Sequence, residues 1–139
     1  MTALDTNVLV DVLRVTAMAR PSLEAMARAA EGGPLVAAPA VYAELCADRR
    51  GSHDAVMAFL DEVRVHIDWE LGRQVWRDAA DAFRAYAGRR RRSGGSEPRR
   101  LLTDFVIGAH ALRAGRLLTR DAAFYRRAFP GLRVVDPTS

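Results

Sequence analysis

The stretch Thr103-Asp104-Phe105-Val106-Ile107-Gly108-Ala109-His110-Ala111-Leu112-Arg113-Ala114-Gly115-Arg116-Leu117-Leu118-Thr119-Arg120-Asp121 carries one whole unit of the fold. Thr103 is a capping residue type, an apolar helical run follows it, and Gly115 stops that run. Leu117 to Thr119 then reads as a buried strand that runs out at the acid Asp121. Helices that feed strands in this way are crossover connections, and crossovers join parallel strands.

The same alternation extends to both ends of the chain. Thr2 to Leu4 is a short first strand, and Thr6 or Asn7 can cap a helix through Val8, Leu9, Val12 and Leu13. Pro21 starts a second helix, which Gly32-Gly33 ends. Leu35 to Ala38 is a second strand, and Pro39 opens a helix carrying Val41, Tyr42, Glu44 and Leu45. Ser52 to Val63 is helical and Val65 to Ile67 is a third strand. Trp69 to Tyr86 forms the longest helix, whose stripe of Leu71, Val75, Trp76, Ala79, Phe83 and Tyr86 reads as core. A polar loop from Gly88 to Arg100 follows. Beyond Asp121, Ala122 to Phe129 is a short helix and Leu132 to Val135 a last strand. The pattern predicts an α/β layered fold with a parallel sheet. No linker divides the 139 residues, so 1–139 is read as a single domain.

Four acids interrupt apolar runs: Asp5, Glu44, Asp104 and Asp121. An isolated buried carboxylate costs many kcal/mol unless it is paired or holds a cation. Parallel sheets gather ligands at the carboxyl ends of their strands, which all four acids could reach. Each also has an ordinary explanation. Asp5 fits an Asx turn or cap, Asp121 a helix cap and Asp104 a favourable helix-dipole position, while Glu44 could pair with Arg49. What these leave unexplained is the coincidence of all four.

Composition narrows the chemistry. Half the residues are apolar and none is Lys, which removes a phosphate-loop lysine, a Schiff base and a Ser-Lys dyad together. The single Cys46 forbids an internal disulfide and is expected to be a small buried thiol. His53, His66 and His110 have no zinc-ligand spacing, and His110 reads as a satisfied core histidine. No Gly-x-Ser-x-Gly or glycine-rich phosphate motif occurs. Carboxylates without thiolates or paired imidazoles suit Mg²⁺, with Mn²⁺ an alternative. Such a cage matches phosphoryl transfer to water.

The formal charge of +4 is local. Arg89, Arg90, Arg91, Arg92, Arg99 and Arg100 cluster between positions 88 and 100, and the rest of the chain is near neutrality. Arginine forks bind phosphates and stack on unpaired bases, so this segment is a candidate RNA contact; the bland reading is a solvated loop. The longest unbroken apolar stretch, Leu35 to Ala43, is too short to span a bilayer, and no apolar signal core opens the chain. A cytoplasmic protein without membrane contact is expected.

Leu4-Asp5-Thr6-Asn7-Val8-Leu9, Pro39-Ala40-Val41-Tyr42-Ala43-Glu44-Leu45, Thr103 to Ala111 and Leu117-Leu118-Thr119-Arg120-Asp121 together resemble the successive motifs of PIN-domain ribonucleases. More narrowly, the chain is similar to VapC-type toxins of bacterial toxin–antitoxin pairs, and Phe124-Tyr125-Arg126-Arg127 with Phe129-Pro130-Gly131-Leu132 fits as well. The resemblance implies a three-layer α/β/α sandwich with a parallel four- to five-stranded sheet. It implies that Asp5 and Asp104 are the principal metal ligands, that Glu44 and Asp121 complete the acidic group, and that Thr119 is the hydroxyl beside the metal or its water. Asn7 would orient Asp5. It also implies an RNA substrate, a cognate small antitoxin and a homodimer. Two other classes stay open. One is a nucleic-acid-binding regulatory subunit that works with its antitoxin without cleavage. The other is a phosphohydrolase forming an aspartyl-phosphate on Asp5, disfavoured because position 7 is Asn and lysine is absent.

Overall fold

A computed structural model describes residues 1–48, 51–95 and 100–139. Arg99, and the suggested pairing of Glu44 with Arg49, lie outside the described residues. The elements run β1 (Thr2–Leu4), α1 (Thr6–Leu13), α2 (Ala19–Glu31), β2 (Leu35–Ala37), α3 (Pro39–Cys46), α4 (His53–Glu62), β3 (Val65–Ile67), α5 (Gly72–Arg92), α6 (Leu102–Ala114), β4 (Arg116–Leu118), α7 (Ala122–Ala128) and β5 (Arg133–Val135). The strands form one parallel sheet in the order β3-β2-β1-β4-β5, with helices packed on it.

The expected α/β class and parallel sheet are therefore present, with five strands. The chain first winds from β1 outward to β2 and β3, then returns to the other side of β1 as β4 and β5. That reversal leaves a crevice at the carboxyl end of β1. Leu4, Leu117 and Leu118 in β1 and β4 are fully buried, each worth about 2 kcal/mol of transfer free energy. Burying these strands fixes where their ends lie. Asp5 N–H donates to Leu118 O at 3.0 Å and Thr119 N–H to Val135 O at 3.0 Å, so the two strand ends are held in register.

Helix α6 lies across β1, β2 and β4 and pairs with α5. Its approach to α7 depends on Gly108: a Cβ there would stand 2.2 Å from the Phe129 ring. Gly115, at φ 123°, turns the chain out of α6 into β4, a conformation that L side chains rarely adopt.

Three local expectations are corrected. Residues 88–92 are not loop, because α5 continues through Arg92 before Ser93 and Gly94 end it. Arginine is a good helix former, and a positive last turn complements the helix dipole. Thr103 does not cap α6: the helix starts at Leu102, and Leu101 occupies the cap position. The aromatic stripe of the longest helix is only partly core. Leu71, Val75, Ala79, Phe83 and Tyr86 face the core, whereas Trp76 is 51% exposed. Trp76 follows Val75 by one residue, about 100° round the helix, and lines an open groove with Leu102, Thr103 and Val106 of α6 and Pro39, Ala40 and Ala43 of α3.

Candidate acidic active site

Asp5 is the centre of the site, at the carboxyl end of β1 and 6% exposed. It occupies the N-cap of α1, the cap role its sequence position left open to it, in place of Thr6 or Asn7, and its Oδ1 accepts from Thr6 N–H at 2.7 Å. Oδ2 accepts from the Thr119 hydroxyl at 2.7 Å and from the Asn7 amide at 3.2 Å. Burial raises the Asp5 carboxyl from 3.8 to about 6; Thr119 and Thr6 pull it down, and the charges of Asp104 and Glu44 add to the rise. No cationic side chain pairs with it among the described residues.

Thr119, fully buried at the end of β4, joins three parts of the site. It donates to Asp5 and accepts from Asp121 N–H at 2.9 Å and more weakly from Asn7 at 3.4 Å. Asn7 also accepts from Arg120 N–H at 3.1 Å, so its amide cannot turn away from Asp5. Asn7 thus touches Asp5, Thr119 and the Arg120 backbone at once. Glu44, half-buried on α3, accepts from the Thr6 hydroxyl at 2.7 Å. Thr6 thus connects Asp5 and Glu44, a link that its reading as a helix cap did not contain.

Asp104 lies in the first turn of α6 and is half-buried. Burial raises its carboxyl, Arg100 and the backbone at Leu101 oppose this, and Glu44 and Asp121 push it up again. Asp121 stands at the N-cap of α7, but its carboxylate makes no capping bond and is paired instead with Arg100. The four acids therefore share one electrostatic environment at the carboxyl end of the sheet.

A fifth buried acid shows what a purely structural carboxylate looks like here. Asp11 is 3% exposed, yet Arg120 forks onto it at 2.6 and 3.2 Å, and Thr16 and Ser22 add hydrogen bonds. Its charge is answered within the chain, whereas no cation among the described residues answers that of Asp5. Tyr125 is the residue that sequence reasoning missed. It is 1% exposed and its hydroxyl makes no hydrogen bond of normal geometry. Burial, with the charges of Asp5, Asp104 and Asp121 behind it, drives its ionisation far above the ordinary tyrosine range. Tyr125 is one helical turn beyond Asp121, and that spacing was the available signal.

Among the described residues, no three acidic, thiol or imidazole groups already stand at metal-binding separation. The donor set nevertheless fits a hard cation. It is all oxygen, its most buried member has no counter-charge, and an orphaned hydroxyl faces the same space, polar features that a hydrated ion would satisfy. The histidines take no part. His110 is buried against Asp68 at 2.7 Å, His66 is exposed, and His53 hydrogen-bonds Tyr42 at 2.6 Å. Cys46 is half-buried near that pair rather than fully enclosed.

Of the arginines, Arg89 and Arg90 are half-buried beside Arg100, while Arg91 and Arg92 are exposed. No helix among the described residues is long and apolar enough to cross a membrane.

The fold is shared with solved toxin–antitoxin structures. A chain of FitAcB from Neisseria gonorrhoeae matches with a TM-score of 0.66 and 21% identity, over 99% of each chain. VapBC-1 from nontypeable Haemophilus influenzae gives 0.66 and 20%, over 99% of this chain and 98% of the other. VapBC2 from Rickettsia felis, bound to a DNA fragment from its promoter, gives 0.64 and 15%, over 97% of each. Comparison with curated protein sequences gave no match. The PIN domain model matches residues 2–130. With the sheet order, the strand-end acids and that match in agreement, the chain belongs to the PIN domain family.

Proposed function

We propose that this protein is an Mg²⁺-dependent endoribonuclease, with Mn²⁺ able to substitute, and that it acts as the toxin of a toxin–antitoxin pair. The observation that carries this reading is Asp5: a carboxylate almost wholly buried, hydrogen-bonded into place, with Asp104 and Glu44 facing it and no cation paired with it among the described residues. Membership of the PIN family supports a nuclease, and the likeness to VapBC and FitAcB supports the toxin setting and a small protein antitoxin as partner.

In this reading Asp5, Asp104, Asp121 and Glu44 hold the ion. A divalent ion bound there supplies a counter-charge for phosphate oxygens and lowers the pKa of water. Thr119 and Asn7 fix the orientation of the Asp5 carboxylate, and Thr6 fixes Glu44, which would then position the attacking water. Water attacks phosphorus in line as the bond to the leaving ribose oxygen breaks. The water's proton goes to an acidic residue, a role we propose for Glu44, and the leaving oxygen takes a proton from solvent water and ends as a hydroxyl. Tyr125, kept neutral by its surroundings, acts only as a donor. Arg89, Arg90 and Arg100 are the proposed RNA contacts. A homodimer and a cytoplasmic location complete the reading, both carried from the family resemblance.

The test is to incubate the purified protein with total RNA, with and without chelator, and to map new 5′ ends. Discrete ends that vanish with chelator are expected; intact RNA across Mg²⁺ and Mn²⁺ concentrations would reject the nuclease. A second reading is a regulatory subunit that binds DNA only together with its antitoxin, favoured by the promoter-bound state of the Rickettsia felis relative. It predicts salt-sensitive promoter binding and no cleavage.

A further inference from the structure

Next to Asp121, between the last turn of α5 and helix α7, lies a groove of about 560 Å³. Its walls carry Arg89, Arg90, Arg100 and Arg127, with Tyr86 and Phe124 as aromatic surface; Asp121 is the acidic residue on its rim. The size falls in the range that holds one small ligand group, roughly 300–1,000 Å³. Arg100 ties the groove to the acidic pocket: it pairs with Asp121, its Cζ sits 4.1 Å over the Phe124 ring, and its N–H donates to Tyr86. Arg89 and Arg127 have no ion pair among the described residues. Two cations without counter-charge beside an aromatic face are what an unpaired nucleotide requires, because its phosphate takes the guanidinium forks and its base takes the stack.

We propose that this groove is the subsite for the unpaired nucleotide flanking the scissile phosphate, with the Phe124–Arg100 pair as stacking wall and Arg89 and Arg127 as phosphate contacts. The proposal rests on the nuclease reading and adds residues that the arginine run does not contain. The binding unit is the groove and not the run. Arg127 is 35 residues beyond Arg92 and belongs to it, whereas Arg91 and Arg92 are exposed outside it.

The test is fluorescence anisotropy of the full chain with a short labelled single-stranded RNA, in chelator so that no cleavage intervenes. Arg127→Gln is expected to weaken binding roughly tenfold and to flatten the log–log salt slope by about 0.7. Arg91→Gln is expected to have a clearly smaller effect. Phe124→Leu should weaken binding with the salt slope unchanged, because stacking neutralises no phosphate. Thermal melts check that each variant is folded; the exposed Arg127→Gln decides the matter if Phe124→Leu is not. Equal effects of Arg91→Gln and Arg127→Gln overturn the subsite. So does competition by poly-glutamate as effective as by unlabelled RNA, which would assign the groove to an acidic protein. If the unmutated protein cleaves RNA but Arg127→Gln binds normally, only the subsite falls. If binding depends on Arg127 but nothing is cleaved, the nuclease reading falls instead.

Discussion

The Thr119 hydroxyl donates to Asp5 Oδ2 over 2.7 Å, joining residues 114 positions apart at the ends of two adjacent strands. This bond favours the ionised form of a carboxylate that burial drives towards the protonated form. Thr119→Val removes it and leaves Asp121 N–H without that acceptor. We expect a loss of about 1–3 kcal/mol in urea unfolding and a further rise of the Asp5 carboxyl. Unchanged stability with an unchanged pH profile would show that the bond matters little.

The Asp5 carboxyl at about 6, against 3.8 unfolded, gives a definite sign to the pH dependence of the metal-free protein. The folded state holds this proton more tightly. The resulting stabilisation is therefore fully present below pH 3.8 and is lost as pH rises through about 6. Asp5→Asn lacks this loss. In chelator, the variant's stability relative to the parent should improve as pH rises from 4 to 7, by at most roughly 3 kcal/mol. Urea midpoints at several pH values measure it, and a difference that is flat with pH contradicts it.

A bound ion reverses that order at neutral pH. Mg²⁺ or Mn²⁺ should raise the melting temperature of the parent and leave Asp5→Asn and Asp104→Asn nearly unmoved, since only a folded state with its ligands gains from binding. Both variants should also lose RNA cleavage while keeping the parent's circular dichroism. Because the ion competes with a proton on Asp5, the acid limb of the cleavage profile should move to lower pH as metal is raised. A limb fixed at one pH across metal concentrations would assign it to another group.

Tyr125→Phe removes a buried hydroxyl that makes no well-formed hydrogen bond among the described residues, although the Asp5 carboxylate faces it. Without metal it should be neutral or stabilising by up to about 1 kcal/mol. Turnover should nevertheless fall while RNA affinity stays constant, if the hydroxyl serves the water in the pocket. A variant that is both destabilised and fully active would make Tyr125 a packing residue only.

Arg120→Ala is the structural counterpart. It strands the buried Asp11 without its guanidinium, and we expect a loss of about 2–3 kcal/mol, at the low end for a broken buried pair because Arg120 is partly exposed. Its cleavage rate, measured well below its melting temperature, should stay far above that of Asp5→Asn. Complete inactivity of the folded variant would falsify the separation of the two acids.

Much of the fold was legible because it is written in local periodicities. The five strands and most helices follow from apolar runs broken by Pro39, Gly32-Gly33 and Gly115, and strands joined by helices must run parallel. The acids at strand ends stood out because Asp5 and Asp121 terminate runs that otherwise bury completely. The same local rules misplaced the arginines: Gly88 suggested a stop, but one glycine costs a helix only about 1 kcal/mol, and the continuation of α5 on α6 outweighs it.

What the sequence by itself determined was the order of strands and helices and a set of carboxylates near strand ends. Only the tertiary structure decided which of those charges has an answer within the chain. Asp5 and Asp11, six residues apart in similar apolar company, differ because Arg120 reaches one and, among the described residues, no cation reaches the other. The tertiary structure also buried the Tyr125 hydroxyl beside the acids with no well-formed hydrogen bond among the described residues, and put Arg127 and Arg89 on the walls of one groove. Periodicity acts over a few residues, whereas the free energy of a buried charge depends on whatever side chain the fold brings within a few ångströms, here from more than a hundred positions away.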